Sequence, residues 1–194
     1  LAITILLTPV VNQSLKRNMS RPAFSSCLQH TIARMTDSGA ASAQAEVIVN
    51  ADPETVYHLI TDLSTLASCA EEARAMKWRK GDEVAPGAVF KGHNRNGVFR
   101  WTTRCTVTHA EPGEAFAFDV HYFGVPVAHW RYDILPVSDT AGDGCRVTER
   151  TWNRQPGWFR KTSWIGTGVR DRDAANSEHI KLTLQRLKAK AEAA

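Results

Sequence analysis

The chain has 194 residues, 43% of them hydrophobic, which is enough for one domain with a sizeable core. Its net charge is +4, from 24 basic and 20 acidic side chains. The bases are interspersed with acids instead of gathered in a block, so the balance gives little support to a nucleic-acid partner.

The segment Leu1–Val11 is apolar but is interrupted by Thr4, Thr8 and Pro9. It is too short to span a bilayer, and Lys16 and Arg17 follow it, whereas a secretory signal carries its bases in front. No integral membrane segment is therefore expected. Met19 and Met35 are alternative starts. Residues 1–42 read as a poorly ordered leader or an over-extended N-terminus, with the polar run Thr36–Ser42 as a linker. A helix around Ala23–Met35 is the alternative. The domain proper then spans 43–194.

It opens with a strand at Ala45–Asn50. Asp52 as N-cap, Pro53 at the first helical position and Glu54 at the positive dipole end start a helix. Val56, Leu59, Ile60 and Leu63 give that helix one apolar face. A short helix near Ser64 carries Leu66, and Ala75–Arg79 reads as a strand. Next comes a meander. Asn96-Gly97 is a preferred two-residue hairpin turn, which sets Asn94 opposite Phe99, Gly92 opposite Trp101 and Phe90 opposite Thr103. The turn Glu111–Glu114 sets Val107 opposite Phe118 and Cys105 opposite Val120. Both registers put Trp101, Cys105, Val107, Phe116, Phe118 and Val120 on one face.

In the strand Val127–Leu135, Trp130, Tyr132 and Ile134 point inward, while His129, Arg131 and Asp133 point out. Keeping Phe118 and Val120 in phase with them requires a bulge or an odd-length loop around Phe123–Pro126. In Cys145–Trp152, the inward set is Cys145, Val147, Glu149 and Thr151, with Arg146, Thr148 and Arg150 in solvent. A final helix from about Asp171 presents Asn176, Ile180, Leu184, Leu187 and Ala191. Before it, Trp158–Gly168 reads as a helix start or a lid.

These segments resemble a known superfamily. Ala45–Leu63, Gly87–Asn94, Glu111–Phe118, Trp130–Tyr132, Arg146–Glu149 and Arg170–Asp173 are similar to the START-like helix-grip proteins (SRPBCC; polyketide cyclase/dehydrase and lipid transport), and most to small stand-alone actinobacterial members. The resemblance covers about residues 44–190. It implies an α+β helix-grip fold, in which a curved antiparallel sheet wraps around a long C-terminal helix and encloses a cavity. It also implies a hydrophobic ligand such as a lipid, polyketide or quinone. The family often has a tryptophan and a proline after the first helix, and Leu66–Glu71 has neither.

The fold changes what the inward aromatics mean. Phe90, Trp101, Phe116, Phe118 and Trp130 would line a ligand chamber, and Asn94, Thr103, Tyr132, Glu149 and Thr151 would supply its polar contacts. Glu149 is the candidate for chemistry. A carboxylate on an apolar face costs several kcal/mol unless it is paired, bonded or protonated. It is either a ligand anchor or proton donor, or a strand-end Glu bonded to Tyr132, Asn94 or an arginine of the last helix. Tyr132 and the aromatics read equally as plain core, and Asn94 as a brace for its own turn. His121, His129 and Arg131 face outward and read as a solvated strand face.

Cys27, Cys69, Cys105 and Cys145 form no CxxC pair, no His cluster completes a zinc site, and no phosphate loop, HExxH or GxSxG is present. No metal or cofactor is expected, and the unpaired cysteines suit a cytoplasmic setting. Three functions remain open: a binder or carrier of a hydrophobic molecule, a cyclase, aromatase or dehydratase using the same cavity, and an assembly module with Trp152 and Trp158 as exposed anchors.

Overall fold

The computed structural model describes residues 39–80, 84–137 and 144–194; of the segment 1–42 read as a leader, residues 1–38 with the alternative helix and Cys27 lie outside them. Strand β1 (Ala43–Val49) leads into helices α1 (Pro53–Thr61) and α2 (Leu63–Cys69). Six strands follow: β2 (Ala73–Lys80), β3 (Val89–Asn96), β4 (Phe99–Glu111), β5 (Ala115–Tyr122), β6 (Val125–Pro136) and β7 (Cys145–Asn153). Two short turns of helix, α3 (Gly157–Arg160) and α4 (Trp164–Thr167), precede the long helix α5 (Arg172–Ala191).

One sheet holds all seven strands in the order β1-β7-β6-β5-β4-β3-β2, each antiparallel to its neighbours. Helices α1 and α2 link its two edge strands. Helix α5 packs mainly on β1, with further contacts to β7, α1 and α2. Its buried positions are Asn176, Ile180, Thr183, Leu184, Leu187 and Ala191. This is the helix-grip arrangement that the element order implies.

Asp62 ends one helix and begins the next. It caps α1 through its own backbone N–H, bonded to His58 O. Its carboxylate then accepts the Thr65 N–H at 3.1 Å and the Ser64 N–H at 3.3 Å, starting α2. The hydroxyl of Thr65 also donates to it, and these bonds hold its pKa below the usual carboxylate value. Asp62→Ala is expected to cost about 1–2 kcal/mol, read by urea denaturation, because one side chain satisfies the start of α2.

One of the expected registers needs correction. Strands β3 and β4 pair Asn96 with Phe99, Asn94 with Trp101, Gly92 with Thr103 and Phe90 with Cys105. The two-residue loop is therefore Gly97-Val98, not Asn96-Gly97. Only Gly97 takes positive φ (54°), so the turn needs its glycine first, as a Gly-X hairpin does. The slip is two residues, which preserves the faces, since side chains alternate with period two. Between β5 and β6 the expected irregularity is present: Val120 pairs with Ala128 and His121 with Pro126, which bulges Val127. The turn Phe123-Gly124 itself has both residues at positive φ.

The outer face of β6 and β7 is not the solvated surface that alternation predicts. His129 is 6% exposed, Trp152 7% and Thr148 6%. Residues 39–42 lie along this edge. The Trp152 indole N–H donates to Gly39 O at 2.8 Å, and the Ser42 N–H donates to Thr151 O at 2.8 Å. His129 stacks near Trp152, with centroids 5.5 Å apart, and its Nδ1 lies 2.7 Å from Asp119. Trp152 is thus no exposed anchor, while Trp158 is 66% exposed. Arg131 and Arg150 both engage Asp133 on the same face.

Candidate functional site

Between the inner face of the sheet, α2, α5 and the α3–α4 segment lies a cavity of about 320 Å³. Strands β3 and β4 contribute Phe90, Gly92, Asn94, Trp101, Thr103 and Cys105 to its wall. Strands β5 to β7 add Phe118, Val120, Ala128, Trp130, Tyr132 and Glu149. The sequence thus brings eight of its ten candidate residues to one space. The other two do not border it. Phe116 is fully buried behind Phe118, at 5.6 Å between centroids. Thr151 donates its hydroxyl to His129 O at 3.1 Å within the sheet.

An aromatic cluster stiffens the floor. Phe90 meets Trp78 edge-on at 5.5 Å and Phe118 at 5.2 Å. Gly92 makes room beside it, since a Cβ there would come within 2.9 Å of the Thr103 hydroxyl. Asn94 donates to Gly92 O at 3.2 Å and to the Thr103 hydroxyl at 3.3 Å. It braces two strands across the register instead of its own turn.

Glu149 sits in the middle of β7, paired with Ala45 and Tyr132, and is 2% exposed. Tyr132 O–H donates to Glu149 Oε1 at 2.7 Å. The other oxygen, Oε2, is buried with no hydrogen-bond partner among the described residues. Loss of water pushes the Glu149 pKa up to about 8, against a smaller lowering by the Tyr132 bond. The same burial, reinforced by the carboxylate, drives the Tyr132 phenol well above its ordinary value. Near neutral pH the pair is therefore predominantly uncharged, and a protonated Oε2 is a hydrogen-bond donor without an acceptor among the described residues. Neither arginine at the start of α5 reaches Glu149. Arg172 is bonded to both oxygens of Glu72 at 2.7 and 2.9 Å and lies 5.9 Å over the Trp101 ring, and Arg170 lies 5.3 Å over Trp164.

Several wall residues escape sequence reasoning. Asn176, His179 and Thr183 of α5 reach the cavity, as do Glu72 and Arg172 at its rim. From α3 and α4 come Phe159, Thr162, Ser163, Gly166 and Thr167. Helical spacing alone placed Asn176 in the core stripe; its polar side chain on an apolar face was the available signal. The Glu72–Arg172 pair joins residues 100 apart and leaves no local pattern. Gly168 closes α4 at φ 72°, and a Cβ there would lie 2.6 Å from the Phe99 ring, so this stop is reserved for glycine.

Thiol chemistry finds no support here. Burial pushes Cys105 up to about 12 and Cys145 up to about 11, leaving negligible thiolate at neutral pH. No group of three His, Cys, Asp or Glu among the described residues is placed to hold a metal ion. No helix among them is long and apolar enough to cross a membrane.

Known structures share this architecture. A Polyketide_cyc-like protein from Corynebacterium glutamicum superposes with TM-score 0.53 at 22% identity, covering 79% of this chain and 93% of its own. The protein DR_A0006 of Deinococcus radiodurans gives 0.56 at 15% identity, with 78% and 97% covered. The di-domain ARO/CYC StfQ from the steffimycin biosynthetic pathway gives 0.61 at 14% identity, with 93% of this chain and 63% of that chain covered. Among curated proteins, none matches this sequence. Residues 40–192 match the family described as polyketide cyclase / dehydrase and lipid transport, from the first residues that flank β1 to the end of α5. With its antiparallel sheet closed over α5 and its cavity on the aromatic side, the chain belongs to that START-like helix-grip family.

Proposed function

We propose that the protein binds a small or medium hydrophobic molecule that carries at least one hydrogen-bond acceptor, and holds it between the sheet and α5. The carrying observation is the unpartnered Glu149 Oε2 beside an aromatic cavity wall. A volume of about 320 Å³ is at the lower end of typical ligand sites. Phe90, Trp101, Phe118 and Trp130 supply apolar contact. Protonated Glu149 donates to a ligand carbonyl or hydroxyl, with Tyr132 fixing its orientation. Asn94 and Asn176 offer secondary polar contacts. Lipids, quinones and polyketides fit this description.

Two of the wall residues are tryptophans, so binding reads out directly. Titrating a panel of fatty acids, sterols, quinones and aromatic polyketides should quench tryptophan emission saturably for at least one class. Native mass spectrometry of freshly purified protein should retain the same class. A panel with no ligand above background would reject the reading.

A second reading uses the same pair as a proton relay. A carboxylic acid with a pKa near 8 is well placed to give a proton from Oε2 to a carbonyl or a leaving hydroxyl at neutral pH, while the Tyr132 hydroxyl, donating to Oε1, holds the acid in position. This would make the protein a cyclase, aromatase or dehydratase of a polyketide-like substrate, and StfQ, which shares the fold, carries ARO/CYC in its name. Glu149→Gln should then retain binding and lose turnover by at least about 100-fold. Turnover at the original rate would leave binding alone.

A further inference from the structure

We propose that α3, α4 and the two neighbouring hairpin tips form a docking surface for an anionic lipid bilayer at the mouth of the cavity. The proposal rests on the reading of the cavity as a site for a hydrophobic molecule for its purpose, but not for the contact with lipid itself.

The β3–β4 and β5–β6 turns lie at one end of the sheet, and α3–α4 lies against them. Asn96 Nδ2 donates to Thr167 O at 3.0 Å, and Gly168 abuts Phe99. Tyr122 stands 6.1 Å from Phe159 and 4.7 Å from Phe123. The inward side chains of this segment, Phe159, Thr162, Ser163 and Thr167, line the cavity. The outward ones are apolar and stand in solvent: Phe123 is 92% exposed, Val98 87%, Trp158 66% and Ile165 62%. Their neighbour Trp164 is 42% exposed under the Arg170 guanidinium.

Phe123 is the most telling of these. It is the only non-glycine residue with positive φ (48°) among the described residues. A bulky side chain there costs energy that Asn, Asp or Gly would avoid. In return its ring touches Tyr122 and is otherwise in solvent. An aromatic held at a strained tip in full exposure is unexplained by the fold of the monomer.

Charge selects the occupant. Residues 95–100, 121–126 and 154–170 carry Arg95, Arg100, Arg154, Arg160, Lys161 and Arg170 and no acidic residue. Arg160 is answered by Asp173 from α5, at 2.7 Å. The opposite end of the sheet has the reverse sign, with Glu111 and Glu114 in the β4–β5 turn and Glu54 beside Gly113. Separate protruding Trp, Ile, Phe and Val side chains, not a groove, set among cations, suit the interfacial layer of a bilayer with anionic headgroups. Docked in this way, the α3–α4 wall of the cavity faces the hydrocarbon, from which a hydrophobic ligand can pass without crossing water.

The test is sedimentation of the full chain with vesicles of phosphatidylcholine alone or of phosphatidylcholine with phosphatidylglycerol. The protein should partition onto the anionic vesicles at least about ten-fold more strongly, and high salt should release it. Two variants separate the contributions: F123N/W158S/I165S for the apolar tips and R100E/K161E for the charge. Each should lose at least about ten-fold of the vesicle affinity. Because the altered side chains are exposed, thermal melting should be preserved, and an asparagine at the turn position of Phe123 is at home there. A wild-type chain that stays in the supernatant overturns the proposal. So does a triple variant that binds anionic vesicles as well as the wild type, which would reduce the contact to surface charge with no role for the apolar tips. Anilinonaphthalene sulfonate fluorescence on vesicle-free F123N/W158S/I165S protein reports the cavity independently, because the dye would otherwise light up in lipid or on the apolar tips. If the vesicles capture the protein and the probe finds no site, the cavity reading fails and the docking surface stands. If the probe binds and the vesicles do not capture the protein, the docking surface fails.

Discussion

Replacing Glu149 by glutamine is expected to stabilise the protein above pH 8 and to leave it nearly unchanged at pH 4.5. The folded-state pKa is pushed up to about 8, whereas an exposed Glu titrates near 4.5. Between these values the folded state holds a proton that the unfolded chain releases. Stability therefore falls as pH rises through this window, and the cost is complete above the folded pKa. Below the unfolded pKa the group contributes nothing. A shift of this size corresponds to roughly 3–5 kcal/mol once the carboxyl is ionised in both states. The amide of the variant keeps an oxygen for the Tyr132 hydroxyl and removes the charge. Wild-type melting temperature should decline from pH 5 to pH 9, while the glutamine variant should show a flatter profile and exceed it at the alkaline end. Parallel profiles would mean that Glu149 reaches water or a counter-ion, and the proposed neutral donor would be lost with it.

Filling the cavity is expected to weaken ligand binding close to a hundred-fold while sparing the fold. Ala128 lies on the inner side of β6, next to the bulged Val127, and borders the space directly. Ala128→Trp would place an indole where the ligand sits. A ligand that forfeits roughly 100 Å² of apolar contact at about 25 cal/mol per Å² loses about 2.5 kcal/mol, close to a hundred-fold in Kd. Because the new ring enters existing space, the overpacking penalty should stay at or below about 1–3 kcal/mol. Emission quenching by the ligand that the panel identifies provides the readout, and a circular dichroism melt confirms folding. Unchanged affinity would move the site elsewhere on the molecule.

The two experiments divide the roles of the wall. The first probes the polar centre without altering volume, and the second alters volume without touching Glu149 or Tyr132. If the carboxylic acid anchors the ligand, Glu149→Gln should weaken binding by a modest factor, since the amide N–H₂ can replace the lost O–H. If it transfers protons, binding survives and only chemistry is lost. The His129–Asp119 pair and the Arg131–Asp133–Arg150 network belong to neither role, as they lie on the outer side of the sheet.

Alternation along the strands was sufficient to read which side chains look inward. Phe118, Trp130, Tyr132 and Glu149 share one face because a strand reverses its side chains at every residue, and this holds even where the pairing is displaced. Hence the β3–β4 register was two residues off while the inner set was right. The capped start of α1 and the stripe Ile180, Leu184, Leu187 on α5 were equally local, being set by bonds and spacings within a few residues. Which inward residues face empty space was decided only by the packing of helices against the sheet. Phe116 and Phe118 have the same parity, yet one is packed shut and the other borders the cavity, a difference set by what packs over β5, where α1 makes contact. The contact of Trp152 depends on residues 39–42 returning across β7, and the Glu72–Arg172 bond depends on the α2–β2 junction meeting α5 at the rim. Such contacts join positions 100 or more apart, where no periodicity in the chain can announce them. The raised pKa of Glu149 belongs to the same class, since the sequence places a carboxylate on the apolar face but only the closed structure withholds both water and a cation from it.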